Sequence, residues 1–371
     1  MNTSSNSSPI DAAIWNRHVA ASPHGDVLQC LEWGELKKPD WQPFPVAIPS
    51  ANSDQFDATC LVLRRAIPRT GRSIFYAPRG PILDWSRSDL LEAMMKQLRE
   101  AARREKAILI KIDPAVPLGT AGVVESLQGL GFVPSPDAAN SFGGTQPRFN
   151  MKLDIAGSEA QVQARFHSKW RYNIRLAERK GVRVRQSTSR DDIKIFHDIY
   201  RVTAQRDGFV GRPLKYFEKL WDTLVVGGKA QFFVASLEEQ ALSAAICFVL
   251  GRQCWYVYGA SSNEHRNTMP NYAMQWAMIQ WARERGCELY DFRGVHELPP
   301  HDGEVAAISM EELMKSPDGL VRFKAGFGTT LTEYVGEWDL PLDKNWYWAW
   351  TSARPRLIAA LKKSKQRAKS S

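Results

Sequence analysis

The chain has little of what marks a metal, redox or secreted protein. Only five of its 371 residues are cysteine (Cys30, Cys60, Cys247, Cys254, Cys287). They are odd in number, scattered and without a CxxC pair, which argues against a disulfide framework and against a zinc site. The seven histidines show no ligand-like spacing, and His265 and His301 read as loop residues. There is no P-loop, no GxGxxG, no HExxH and no GxSxG. No metal and no cofactor is therefore expected. No apolar run reaches the ~18–20 residues of a membrane-crossing helix. Residues 1–9 are polar and lack the basic-then-apolar order of a secretory signal. The expected location is the cytoplasm.

What is there is an ordinary folding composition, 44% hydrophobic and 24% charged, in a length that suits two domains better than one. The net charge is +9, but seven of those charges fall in residues 354–371, which hold no acid, so the rest of the chain carries only +2. A tail of this kind, with Lys362 and Lys363 at its centre, suits phosphate backbones or an anionic membrane, and equally a solvated frayed helix. The aromatic run Trp346-Tyr347-Trp348-Ala349-Trp350 just before it adds to the membrane option, because amphipathic rings favour an interface.

Strand and helix patterns alternate. A helix is expected over 11–20, then a segment over 28–36 and a Pro-rich stretch to residue 50, followed by strands over 58–65 and 73–76. A helix over 89–104 with Leu90, Leu91, Met94, Met95 and Leu98 on one face leads to a buried strand over 107–112. The Gly- and Pro-rich loop 134–147 is a domain boundary. A strand over 149–155 and one long helix over 158–180 open the second half; the helix carries an apolar stripe of Phe166, Trp170, Ile174 and Ala177, with Arg171, Arg175 and Arg179 on one other face. Helices over 191–206 and 214–225, strands over 230–236, 241–250 and 253–260, a helix over 270–285 and a strand over 287–292 follow, and a polar loop spans 296–319. A shift of 180 residues lays the strand, helix and strand of the first half on those of the second. That suggests two copies of one α/β unit, each a mixed sheet with helices on both faces.

Four clusters can carry chemistry. Tyr76-Ala77-Pro78-Arg79-Gly80-Pro81-Ile82-Leu83-Asp84 ends a strand in a rigid turn that presents Arg79 and Asp84. Residues 206–217, RDGFVGRPLKYF, put Arg212 and Tyr216 one helical turn apart, where a guanidinium can grip phosphate in a bidentate manner. Tyr290-Asp291-Phe292-Arg293-Gly294 closes a strand at the end where open α/β sheets take ligands. Residues 318–328, DGLVRFKAGFG, set Lys324 between Phe323 and two spaced glycines. Held beside a cleft, that ammonium would stabilise an oxyanion; otherwise it is a solvated lysine at the end of a strand.

In this order, with Trp33…Lys37 and residues 169–182 (KWRYNIRLAERKGV), these segments resemble the FemABX family over residues 28–342. These are peptidyltransferases that use aminoacyl-tRNA to extend the stem peptide of peptidoglycan precursors. The resemblance implies two tandem acetyltransferase-like (GNAT) domains in an α/β fold, one made of 1–150 with 330–371 and the other of 151–329. Because 214–225 passes straight to the next strand, no coiled-coil arm fits, as in FemX-type members. It further implies that Lys324, with Phe323, stabilises the charge formed when an amine attacks the aminoacyl ester. Arg212, Tyr216 and Lys37 would hold the precursor's diphosphate, Asp84 would act as general base, and Arg79, Tyr256 and Tyr258 would shape the precursor pocket. The partners implied are aminoacyl-tRNA, along Arg171, Arg175, Arg179, Lys362 and Lys363, and either UDP-MurNAc-pentapeptide or lipid II, on a monomer touching the inner membrane surface peripherally. The competing class is a CoA-dependent N-acyltransferase. It would need an Arg/Gln-x-x-Gly-x-Gly/Ala turn, and Gly326-x-Gly328 has Phe323 where that turn needs Arg or Gln.

Overall fold

Among the described residues the strands form two mixed sheets, each with one parallel strand pair. The computed structural model describes residues 10–51, 54–139, 144–295, 298 and 307–353. The first part runs α1 (Ala12–Ala21), α2 (Leu31–Lys37), β1 (Gln42–Pro49), β2 (Phe56–Ile67), β3 (Arg72–Ala77), α3 (Ser88–Arg104), β4 (Ala107–Ile112), α4 (Val123–Gly129) and β5 (Val133–Pro134). Then come β6 (Phe149–Asp154), α5 (Glu159–Ala164), α6 (Ser168–Arg179), β7 (Val182–Gln186), α7 (Asp192–Asp207), α8 (Leu214–Leu220), β8 (Ala230–Leu237), β9 (Gln240–Leu250) and β10 (Gln253–Ser261). The chain continues through α9 (Pro270–Glu284), β11 (Leu289–Gly294), α10 (Met310–Leu313), α11 (Gly319–Ala325), β12 (Thr330–Glu333), β13 (Trp338–Pro341) and α12 (Lys344–Trp348).

The sheets have the orders β1-β2-β3-β4-β13-β5 and β12-β6-β11-β10-β9-β8-β7. Their parallel pairs are β3/β4 and β10/β11, each joined across a helix, α3 or α9. This is the element order that the 180-residue shift suggested. The buried stripe of α3 (Leu91, Met94, Met95, Leu98, Ala101, Ala102) packs into the core of the first sheet. No arm interrupts the second half: α8 runs on through one wider turn, Trp221–Val225, to β8.

Four expectations change. The Pro-rich stretch contains β1, whose prolines are tolerated because it is an edge strand with one unpaired side. The single helix over 158–180 is two. Ser158 and Gln161 form a capping box for α5, the chain breaks at 165–167, and the His167 ring caps α6 by accepting from Lys169 N–H. The segment 330–343 does not return whole to the first sheet: β12 pairs with β6 in the second, and only β13 joins β4. The Lys324 segment is a helix capped by Asp318, not the end of a strand.

The two sheets share a core. Trp15, Leu28, Trp33 and Leu61 from the first part pack with Phe196, Phe217, Phe232, Phe248 and Trp255 from the second. Burial of large side chains at roughly 1.5–3 kcal/mol each makes this contact a main source of the assembled state's stability.

Candidate functional site

β10 and β11 pair only from Gln253/Leu289 to Trp255/Asp291, and then diverge. A cleft of about 1280 Å³ opens at that fork. Tyr256, Tyr258 and Gly259 line it from β10, and Phe292, Arg293 and Gly294 from β11. The start of α9, the Lys324 helix, Lys37, Arg212 and the segment Thr145–Pro147 complete the walls. Gly259 is required there, since a Cβ would lie 1.6 Å from the Tyr256 hydroxyl.

One end of the cleft gathers cations. Lys37, the last residue of α2, places Nζ 4.0 Å from the centre of the Trp33 ring and 3.5 Å from Tyr216 Oη. Tyr216 Oη is 2.9 Å from Tyr258 Oη, and the Arg212 guanidinium lies 5.2 Å over the Tyr216 ring. Burial, helped by the charge of Arg212, pushes the Lys37 ammonium down to about 7. Among the described residues neither Lys37 nor Arg212 forms an ion pair with a carboxylate. Two neighbouring cations on an aromatic floor, both unpaired, make a site for a doubly charged anion.

Lys324 occupies another wall. Only 3% exposed, it donates to Gly294 O at 2.6 Å and to Arg293 O at 3.3 Å, which leaves one N–H of three for the cleft. Burial pushes it down to about 8, against the opposing pull of Asp291 and Asp318. Its carbonyl anchors are themselves fixed. Arg293 has φ +60°, its N–H donates to Asp291 Oδ1 at 2.6 Å, and Asn150 donates to Asp291 Oδ2 at 2.9 Å. The Arg293 guanidinium pairs with buried Asp26 through Nη1–Oδ2 at 2.9 Å and Nη2–Oδ1 at 3.3 Å. Phe323, half-buried, accepts at its carbonyl from Trp170 Nε1 at 2.9 Å. The break between α5 and α6 serves this wall: His167 N–H donates to Gly326 O at 2.8 Å. A Cβ on Gly326 would come within 2.2 Å of the Trp170 indole, so glycine is needed for that approach.

The expected residues therefore divide. Lys324, Phe323, Lys37, Arg212, Tyr256 and Tyr258 line one cleft, with Tyr216 directly behind. Asp84 does not join them. It is exposed on a surface turn, where Ser86 donates to its carboxylate from Oγ at 2.7 Å and N at 3.0 Å and holds it below the usual carboxylate range. Arg79 is not a pocket residue either. Only 2% exposed, it donates to Pro147 O at 2.7 Å, and its guanidinium lies 4.6 Å over the Tyr334 ring, so it braces the cleft's rim from the interior. Arg171, Arg175 and Arg179 share a face of α6 away from the cleft; Arg171 turns back to Phe166 O, and Arg179 lies over Tyr172. Lys362, Lys363 and His301 lie outside the described residues. Sequence reasoning missed the pair Asp26–Arg293, because no local pattern links residues 267 positions apart. No group of His, Cys, Asp and Glu among the described residues could hold a metal, and no described helix is long and apolar enough to cross a membrane.

Comparison with known proteins adds four likenesses. The FemAB family profile matches residues 10–241 and 237–354. A lipid II:glycine glycyltransferase of Staphylococcus epidermidis is 29% identical over 406 aligned positions, covering 92% of this chain and 94% of that protein. The crystal structure of FemX superimposes with a TM-score of 0.80 at 27% identity, covering 91% of this chain and 98% of that one. A tandem GNAT protein from the clavulanic acid pathway, 11% identical, covers 89% and 94% at a TM-score of 0.51, a likeness of fold alone.

Proposed function

The chain belongs to the FemAB family, and we propose that it is an aminoacyltransferase that moves an amino acid from aminoacyl-tRNA to the stem-peptide amine of a peptidoglycan precursor. The observation that carries this reading is the joining, in one cleft, of an unpaired Lys37–Arg212 anion site and a buried lysine with one free N–H. The first suits the precursor's diphosphate, whether linked to a nucleoside or to a lipid. Lipid II is the acceptor printed in the name of the staphylococcal relatives.

In the reaction, the acceptor amine attacks the ester carbonyl carbon of the aminoacyl group. The C–N bond forms and the carbonyl electrons move to oxygen. Lys324 Nζ, pre-placed and poorly solvated, stabilises that oxyanion without needing to reorganise. Collapse breaks the ester C–O bond, the ribose oxygen leaves, and the amine's proton ends on it. Asp84 has no part in this reading, because its carboxylate is spent on Ser86 outside the cleft. The tRNA lies along the Arg171/Arg175/Arg179 face, making phosphate contacts that position without reading sequence.

The test incubates purified protein with charged tRNAs and either lipid II or the UDP-linked precursor, and looks for an added residue by mass. Acyl transfer from acetyl-CoA, with none from aminoacyl-tRNA, would overturn the reading in favour of a CoA-dependent acyltransferase.

A further inference from the structure

One lip of the cleft exposes apolar surface that the transfer reaction does not use. α7 ends at Asp207, Gly208 turns the chain at φ +72°, and the loop to Pro213 carries Phe209 and Val210. Val210 is 99% exposed; Phe209 and, on α7, Val202 are each 41% exposed. The loop is anchored. Phe209 N–H donates to Ala204 O at 3.2 Å, its ring lies 5.6 Å from that of Tyr200, and the His197 ring bonds Arg212 O at 3.3 Å. Val210 is thus presented to solvent by a fixed turn, at the edge of a cleft that Phe209 and Arg212 themselves line.

The charges around this tip are all of one sign once local pairing is counted. Asp207 is engaged by Arg206 at 2.8 Å and Asp198 by Lys194 at 2.7 Å. Arg201, Arg212 and Lys215 are exposed and form no ion pair among the described residues. An apolar tip ringed by free cations is the pattern that enters the headgroup region of an anionic bilayer, the apolar side chains going in and the cations meeting lipid phosphates. RNA fits less well: single-stranded nucleic acid is held by stacking on open ring faces, valine has none, and the Phe209 ring is already packed against Tyr200. We propose that the Gly208–Pro213 loop inserts Val210 into the surface of an anionic bilayer and so seats the mouth of the cleft against lipid. Its use in bringing a lipid-linked acceptor to the cleft rests on the function proposed above; the binding itself does not.

The chain offers a clean probe, because all five native cysteines are buried. Val210→Cys in the full-length protein is labelled with an environment-sensitive NBD thiol reagent and mixed with vesicles of phosphatidylcholine, with or without added phosphatidylglycerol. The expected result is brighter, blue-shifted emission with the anionic vesicles only, reversed by salt. Val210→Asp should co-sediment with anionic vesicles about tenfold less than the unaltered chain, while transfer to the water-soluble UDP-linked acceptor is unchanged. Solution-like emission with every vesicle would overturn the insertion, as would Val210→Asp sedimenting like the unaltered chain. A shift produced by raising the protein concentration without lipid would overturn it in favour of a second copy. Vesicle insertion with no transfer to either acceptor would leave the insertion standing and sink the transferase reading instead.

Discussion

The two forks of this molecule, β3/β4 and β10/β11, are built alike and filled differently. In the first, among the described residues, the buried polar groups are held by their own surroundings, the Arg79 guanidinium by the Pro147 carbonyl and the Tyr334 ring. Asp113 accepts from Tyr76 Oη at 2.7 Å and from the Arg79 N–H at 2.6 Å, and Lys111 sits between Glu337 and Asp339. The fork is closed by its own side chains. In the second, the cations that reach the opening, Lys37 and Arg212, meet no carboxylate, and Lys324 is met only by carbonyls. The same strand–helix–strand frame therefore gives a filled fork in one sheet and an open cleft with unpaired cations in the other. The titration shifts show burial acting in both forks. Burial raises the Asp113 carboxyl to about 7 in the first fork and lowers Lys37 and Lys324 to about 7 and about 8 in the second.

The sharpest way to break the comparison is at Lys324. Lys324→Met should lower kcat by about a thousandfold or more, on the scale of losing an oxyanion stabiliser, with precursor affinity within a few-fold by calorimetry. In the first fork the same kind of change should act on stability instead. Arg79→Met removes the guanidinium's bond to the Pro147 carbonyl and its charge near Asp113, and should cost about 1–3 kcal/mol in chemical denaturation, the surviving folded fraction keeping its affinity for precursor. Arg212→Ala should raise the KM for the precursor about 10- to 100-fold, as loss of a charge-assisted contact does, at little cost in Tm. A pH series separates the forks further. The Lys37 ammonium is lost near pH 7 in the free protein and is favoured once a diphosphate is bound. Precursor affinity should therefore be flat below about 7 and fall as pH rises above it, and Lys37→Met should abolish the slope. The smallest effect is expected at Asp84→Asn, whose transfer rate should stay within about twofold, since it lies on an exposed turn outside both forks; a loss as large as that of Lys324→Met would return Asp84 to the reaction.

Much of the frame was legible because periodicity and burial agree. The stripe of α3 and the apolar strands on either side of it read directly, as did their counterparts around α9. Where reading failed, a non-local constraint had overruled a local pattern. The stripe Phe166, Trp170, Ile174 runs unbroken through 165–167, with no proline or glycine to mark a stop. The break is set by the bond from His167 to Gly326, far along the chain. β1 was hidden by its prolines, which only its edge position permits. At the site, motif order pointed to Lys37, Arg212, Tyr216 and Lys324, which the fold gathers at one cleft. It could not show that Arg79 takes φ +57° and turns inward while Asp84 stays in solvent. Side-chain direction at a turn belongs to the fold and not to the segment.

The pair Asp26–Arg293 has a consequence for how the protein comes into being. Arg293 offers its carbonyl to Lys324, and Asp26, near the start of the chain, holds the arginine in place. The cleft's lysine is thus set by residues far apart along the chain. A fragment beginning after Asp26 loses the ion pair at the Arg293 guanidinium and keeps only the bond from the Arg293 N–H to Asp291. The cleft's geometry is therefore complete only once the two sheets have docked.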